Sequence, residues 1–319
     1  MKKNIPIIIG AIVFLLAGWF YYQSSSATAK LNWTAWQNNL DLAPVKNELL
    51  FFKAENLDLA EKLKNLEASI SALKKAVILP APALTSNTPP GSGFSRQSVT
   101  TDIGSFTVSL VAADLNSTRV IVDTASDGDC ANDCPVLSLG AYVSRSGAFA
   151  GINGSYFCPA SYPSCAGKTN SFDTLLMNKN KVYFNSTNNV YSTVPAVVFS
   201  GTSPNFVGQS LSIGRDTSPD SIIANYPLLV SGGQVVFGGN DDPKQGSRGN
   251  RSFIANKGST IYIGVVHGVT MAESARVMAA LGMDNALNLD SGGSTALWSG
   301  GYRVGPGRDI PNAILFVPR

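Results

Sequence analysis

The residues with the most chemistry in this 319-residue sequence stand in three short polar clusters, each at the end of an apolar run. In Gly151-Ile152-Asn153-Gly154-Ser155-Tyr156-Phe157, a strand-like run ends in an asparagine followed by glycine. In Arg251-Ser252-Phe253-Ile254-Ala255, an arginine enters a strand after the flexible stretch 246–250. In Asn288-Leu289-Asp290-Ser291-Gly292-Gly293-Ser294, a strand delivers a carboxylate into a glycine turn. Loops at strand ends are where a rigid scaffold displays functional groups. An amide, a guanidinium and a carboxylate supply hydrogen bonds and both signs of charge, although each cluster taken alone also reads as turn chemistry.

Standard hydrolytic machinery is largely missing. His267 is the single histidine, so a Ser-His-Asp arrangement would have to use it, and no G-x-S-x-G elbow accompanies it. A hydrogen-bonded histidine at a strand end is the better reading. HExxH, a P-loop and GxGxxG are absent, no metal site is expected, and no cofactor is implied. Charged residues make up 14% of the chain and the net charge of +3 forms no basic stripe, so nucleic acid is not an expected partner.

Short strands must carry these clusters. Strand patterns fall at 106–112, 119–123, 148–153, 174–177 and 182–184, with hairpin signals at 178–180, 231–233 and 257–258. One helix is well marked. Thr270 to Glu273 form a capping box, the body runs to about Leu281, and Gly282 sits where a left-handed residue is wanted. A strand at 286–289 follows directly. The expected class is α+β, a mainly β domain with a mixed or antiparallel sheet and a few helices over 94–319, in which roughly 225 residues suffice for one core.

The N-terminal third has a different composition. Lys2 and Lys3 precede an uncharged, largely apolar run at 5–22, which predicts a transmembrane anchor within 1–29 with the N-terminus in the cytosol. A cleaved signal peptide is the competing reading, from the small-x-small pattern at 27–29. Either way the remainder is exported, to the periplasm or the cell surface. Residues 30–79 read as a coiled-coil stalk. Leu42, Leu49, Leu63, Ile70 and Val77 alternate with Val45, Phe52, Leu59, Leu66 and Leu73, and Asn56 is the polar interruption that favours a parallel homodimer through 42–77. A monomeric amphipathic stalk stays open, since Pro44 weakens the first turn. Residues 80–93 are too rich in Pro, Ser and Gly for a packed element and read as a linker.

Export bears on the cysteines. Four cysteines allow three connectivities, and closeness in sequence does not by itself choose among them. The two close pairs suggest local disulfides, Cys130 with Cys134 and Cys158 with Cys165, and the spacings match no common zinc pattern.

Together, ING-SYF, RSFIA, GVTMAES, LNLDSGGST and PNAILFV resemble the phosphodiester glycosidase family in order and content, over about 106–317. The resemblance implies catalytic roles for Asn153, Arg251 and Asp290. A sugar 1-phosphodiester has a leaving group that is already stable as an anion, so one carboxylate can suffice. Asp290 then serves as base or nucleophile at the anomeric carbon. Arg251 would grip phosphate oxygens through its planar fork, and Asn153 would orient a sugar hydroxyl. Gly292, Gly293 and Ser294 would offer backbone N–H groups as an anion nest, with Gly154 beside them in substrate binding. Glu273 is the candidate second carboxylate, already explained by its cap. The family's turn usually has glycine where Ser291 stands, which would be strained if that position needs positive φ. The expected function is a membrane-tethered exported hydrolase of a sugar-1-phosphodiester or related bond in envelope or extracellular polysaccharide. A non-catalytic carbohydrate-binding or envelope-assembly module, or a structural surface protein, are the alternatives.

Overall fold

The computed structural model describes residues 84–187, 193–239 and 242–319, together with isolated positions between 23 and 67. The chain divides into two compact units, Met1–Pro80 and Ala81–Arg319. In the first, the described positions are helical, and the apolar run at 5–22 and the heptad seam lie outside them. No described helix is long and apolar enough to cross a membrane.

The described part of the second unit contains eighteen strands in three sheets. The largest sheet runs, in spatial order, β1 (Leu84–Thr85), β2 (Gly93–Thr101), β3 (Gly104–Asp114), β14 (Thr260–Val269), β13 (Gly249–Lys257), β15 (Asn285–Asn288), β11 (Leu228–Ser231) and β12 (Gln234–Val235). A second sheet comprises β7 (Tyr183–Phe184), β6 (Leu176–Met177), β10 (Ser221–Ala224), β8 (Ala196–Ser200) and β9 (Ser203–Val207). The third comprises β17 (Tyr302–Val304), β16 (Leu297–Ser299), β5 (Ala150–Asn153), β18 (Asn312–Pro318) and β4 (Thr118–Thr124). Strand pairing is antiparallel except between β1 and β2. The domain is mainly β with few helices and falls in the α+β class. The proline-rich stretch 80–93, expected to hold no packed element, contributes β1. Leu84 and Thr85 pair with Gln97 and Ser98, and the Asn87 amide brackets Thr100.

Alternation along the strands builds the layers. In β14, Ile261, Ile263 and Val265 point into a central core shared by all three sheets, while Tyr262 and Val266 point the other way. That second face is covered by helix α3 (Met271–Ala280), through Met271, Ala275 and Met278. The third sheet also turns Val120, Ile152, Ile314 and Phe316 to the central core. Its outer face is covered by helix α1 (Leu139–Ser146), through Leu139, Tyr142 and Val143. The Thr270–Glu273 capping box forms as its sequence implies, and Gly282 takes φ 70°.

Candidate active site

β13 and β15 run antiparallel with Phe253 opposite Asn288. The Leu289 N–H then donates to the Ser252 carbonyl at 2.9 Å, so continuing the register sets Arg251 across from Asp290. β5 belongs to another sheet and is tied to this pair by side chains. Ser252 Oγ donates to Asn153 Oδ1 at 2.9 Å, and Asn153 Nδ2 donates to the Asp290 carbonyl at 2.5 Å. The Asp290 N–H returns to the Gly154 carbonyl at 2.9 Å. Three strand ends, distant in sequence, are thereby locked together.

Beside them opens a cleft of about 620 Å³. Tyr156, Phe157, Tyr162 and Pro163 line it from the segment after β5, and Tyr226 from the turn before β11. Helix α2 (Pro243–Gly246) supplies Lys244 and Gln245, and Asp290, Ser291, Gly292 and Ser294 form its floor. Arg251 and Arg308 both reach it. Cleft-lining aromatic and polar groups of this kind suit a small polar ligand with an apolar ring face.

The Asp290 carboxylate is the titrating centre. Burial raises its pKa to about 6, against the opposing pull of the Ser294 hydroxyl, the Ser291 N–H and the charge of Arg308. The Ser291 N–H donates to Asp290 Oδ1 at 2.8 Å. Ser291 itself has φ −137°, extended backbone that any residue adopts, so serine in place of the family's glycine brings no strain. Positive φ falls one residue later, on Gly292 at 65°. The Ser291 hydroxyl donates to the Leu289 carbonyl at 3.1 Å and accepts the Ser252 N–H at 3.4 Å, a further tie between β15 and β13.

The geometry gives three of the singled-out residues partners within the protein. Asn153 has no exposed surface, and its amide holds the Asp290 carbonyl, Ser252 and the Ala296 N–H rather than a sugar hydroxyl. Gly154 is buried against β18 rather than open to substrate: a Cβ there would lie 1.8 Å from Asn312 Oδ1. Arg251 does not present a free fork. Its Nε donates to the Val269 carbonyl at 3.3 Å, and its Nη2 faces the carbonyls of Lys244 at 2.9 Å, Gln245 at 3.4 Å and Ser247 at 2.5 Å. Arg251 is thus the strut of the 244–247 wall while its charge still borders the cleft.

Arg308, to which the sequence drew no attention, is the more accessible guanidinium. It crosses Gly293 so closely that a Cβ there would lie 2.1 Å from Nη2, so any larger residue would have to push the guanidinium aside. It also stacks over the Tyr162 ring at 5.2 Å, and its Nη1 donates weakly to Ser161 Oγ at 3.4 Å. Asp242 is a second cleft carboxylate that went unnoticed, its Oδ1 capping α2 by accepting the Lys244 N–H at 2.8 Å. Glu273 and His267 do not line this cleft. Glu273 closes its capping box and pairs with Arg248. His267 Nε2 lies 2.9 Å from Ser109 Oγ, and burial together with Arg96 pushes its pKa down to about 4. Among the described residues, no three His, Cys, Asp or Glu side chains group to hold a metal.

Both disulfides form as the close pairs suggested, Cys130–Cys134 and Cys158–Cys165. Bonds of this kind place the domain in an oxidising, extracytoplasmic setting. The second closes the loop that carries Tyr162, Pro163 and Ser164 into the cleft wall. Replacing Cys158 and Cys165 together by serine is expected to raise KM severalfold, as Tyr162 loses its fixed place under Arg308. The same change at Cys130 and Cys134 should leave KM within about twofold, because the loop that bridge closes, 131–133, contributes no residue to the cleft. Steady-state kinetics of the two double variants make the comparison, and equal effects would count against a role for the Tyr162 loop.

The sequence model of the phosphodiester glycosidase family matches residues 146–317, more than half of the chain. No curated protein sequence matches. Among solved structures, the fold is similar to the catalytic domain of zebrafish N-acetylglucosamine-1-phosphodiester alpha-N-acetylglucosaminidase, described as auto-inhibited by its pro-peptide. The TM-score is 0.55 at 14% identity, over 74% of this chain and 87% of that one. A hypothetical protein from Synechocystis aligns with a TM-score of 0.50 at 14% identity, over 71% of this chain, which spans 62% of that protein.

Proposed function

The chain belongs to the phosphodiester glycosidase family, and from that membership we propose that it hydrolyses a sugar-1-phosphodiester or a related glycosidic bond in the cleft at Asp290. What carries the reading is the juxtaposition in one cleft of a carboxylate raised to about 6, two guanidinium groups and a set of tyrosine rings. Asp290 acts at the anomeric carbon, as base toward water or as nucleophile. Arg308 takes the phosphate oxygens, and Arg251 adds positive potential from its buried post. The exposed face of Tyr226 offers a surface for the apolar side of a sugar ring. Asn153 and Gly154 hold Asp290 in place through the backbone, and the turn at Gly292, Gly293 and Ser294 carries Arg308 and the floor. The N–H groups of that turn remain the proposed nest for a substrate oxygen.

Setting extends the reading. A disulfide-bonded domain that follows an apolar N-terminal run and a heptad stalk suits work outside the cytosol, tethered to a membrane as a parallel dimer, on phosphodiester-linked sugars of the envelope or its polysaccharides.

The test is release of free sugar. Full-length protein in mild detergent is incubated with the methyl phosphodiester of N-acetylglucosamine 1-phosphate and a panel of other sugar 1-phosphodiesters. Turnover of at least one supports the reading. Saturable binding without any turnover points instead to the non-catalytic carbohydrate-binding module.

A further inference from the structure

Tyr156 hangs from a buried polar frame. Its N–H donates to Asn225 Oδ1 at 2.9 Å, and Asn225 Nδ2 donates to the Asn288 carbonyl at 2.8 Å. One asparagine thereby fixes both Tyr156 and Asn288, and neither asparagine has exposed surface. The Asn288 Nδ2 group, with two hydrogens, faces three acceptors: the Tyr156 hydroxyl oxygen at 2.7 Å, the Leu289 carbonyl at 2.8 Å and the Tyr226 carbonyl at 3.0 Å. A carbonyl can only accept, so the Tyr226 contact settles which end of the Asn288 amide carries the hydrogens. The phenol oxygen therefore shares the amide's hydrogens with two carbonyls, and since an amide nitrogen cannot accept, the phenol's own proton points elsewhere. Asn288 Oδ1 has no hydrogen-bond partner within the protein.

The other surroundings of the phenol are those of the cleft. Tyr156 lines it, its ring leans on Tyr226 with centroids 4.9 Å apart, and it lies within the fields of Asp290 and Arg251. Burial, reinforced by the Asp290 charge, holds its pKa above that of an ordinary tyrosine, so near neutral pH it remains a donor.

Resting on the cleft's assignment to sugar-1-phosphodiester hydrolysis, we propose that Tyr156 is a further catalytic residue, donating its O–H to the phosphate as that group departs from the anomeric carbon. The C1–O bond breaks and its electron pair passes to the phosphate oxygen, taking the phosphoryl group from one negative charge to two. A new C1–O bond forms to water, whose proton goes to the Asp290 carboxylate and then to solvent. The products are the free sugar and a phosphate monoester, and Tyr156 keeps its proton throughout. Its hydrogen bond strengthens as charge gathers on the phosphate, which is stabilisation specific to the transition state and product. Asn288 and Asn225 are positioning residues that aim it.

Tyr156→Phe in the full-length protein is expected to lower kcat by about 100-fold with KM of the methyl phosphodiester unchanged. Inhibition by methyl phosphate, which carries the product's charge, should weaken by about 10-fold, and the melting temperature should move little. Asn288→Asp asks the same question with Tyr156 in place. The new carboxylate would accept the phenol proton and turn it away from the cleft, so kcat should fall comparably. Retention of kcat within about twofold in either variant, a rise in KM alone, or unaltered methyl phosphate inhibition would overturn the proposal. Absence of turnover by the wild-type protein on every sugar 1-phosphodiester is a separate result, and it would remove both the function and this role.

Discussion

Asp290→Asn is expected to abolish turnover, by at least about 1,000-fold, while raising the stability of the fold. The loss of activity follows from chemistry. An amide keeps the shape and can still accept the Ser291 N–H, but it cannot take a proton from water or attack C1. The gain in stability follows from linkage. The carboxyl pKa rises from 3.8 in the unfolded chain to about 6 in the fold, so its favourable contribution is fully present below about pH 3.8. That contribution is lost as pH rises through about 6. At neutral pH the wild-type protein therefore holds a buried charge at a cost on the order of 2–3 kcal/mol, which the neutral amide avoids. Water at the open side of the cleft reduces this, and a gain of several degrees in melting temperature is the expected reading at pH 7. The gain should shrink toward pH 4. Equal melting temperatures at both pH values would show that Asp290 is not the buried titrating group described here. In the wild-type enzyme the same ionisation should appear as an acid limb, kcat/KM rising through about pH 6 as the base form is generated.

The sequence made the strand ends legible and left the direction of their side chains hidden. Asn153, Arg251 and Asp290 could be picked out because apolar runs stop at them and glycines or flexible stretches adjoin. All four residues of β5 are buried, however, so alternation supplies no outward face from which to tell that Asn153 turns inward. Arg251 reads as a substrate ligand only through the family resemblance, since its cluster taken alone reads equally as turn chemistry. Only the fold shows the carbonyls of 244–247 curling onto it. Arg308 lies after Gly305, Pro306 and Gly307, where no periodicity exists to place it, and its importance comes from crossing Gly293. Helix α1 escaped notice because it is eight residues long with glycine at its second position. Its Ser138 cap and left-handed Gly147 are readable signals once the apolar pattern of Leu139, Tyr142 and Val143 is known to face a sheet. The long helix at 271–280 was clear because capping box, apolar spacing and terminal glycine all agree.

The two arginines of the cleft should separate under the same conservative change. Arg251→Lys is expected to destabilise the domain by about 3 kcal/mol, because a lysine cannot reproduce the Nε and Nη2 bonds and leaves inward-facing carbonyls of Val269 and the 244–247 segment without donors, at about 1–3 kcal/mol per group. With that strut gone the wall formed by Lys244 and Gln245 loosens, so kcat and KM should worsen together and amide hydrogen exchange at 244–247 should accelerate. Arg308→Lys keeps the charge over Gly293 and removes a weak bond to Ser161 and the planar stack on the exposed Tyr162 ring, each worth little to the fold, so the melting temperature should hold within about two degrees. Its effect should fall on the substrate, with the loss of a planar two-point grip lowering kcat/KM by about 10- to 100-fold, as expected for one charge-assisted hydrogen bond of about 1.5–3 kcal/mol. Urea denaturation and kinetics on the two variants give four numbers from one experiment. A stable, inactive Arg251→Lys protein beside an unstable, active Arg308→Lys protein would reverse the assignment, making Arg251 the phosphate ligand and Arg308 the structural residue.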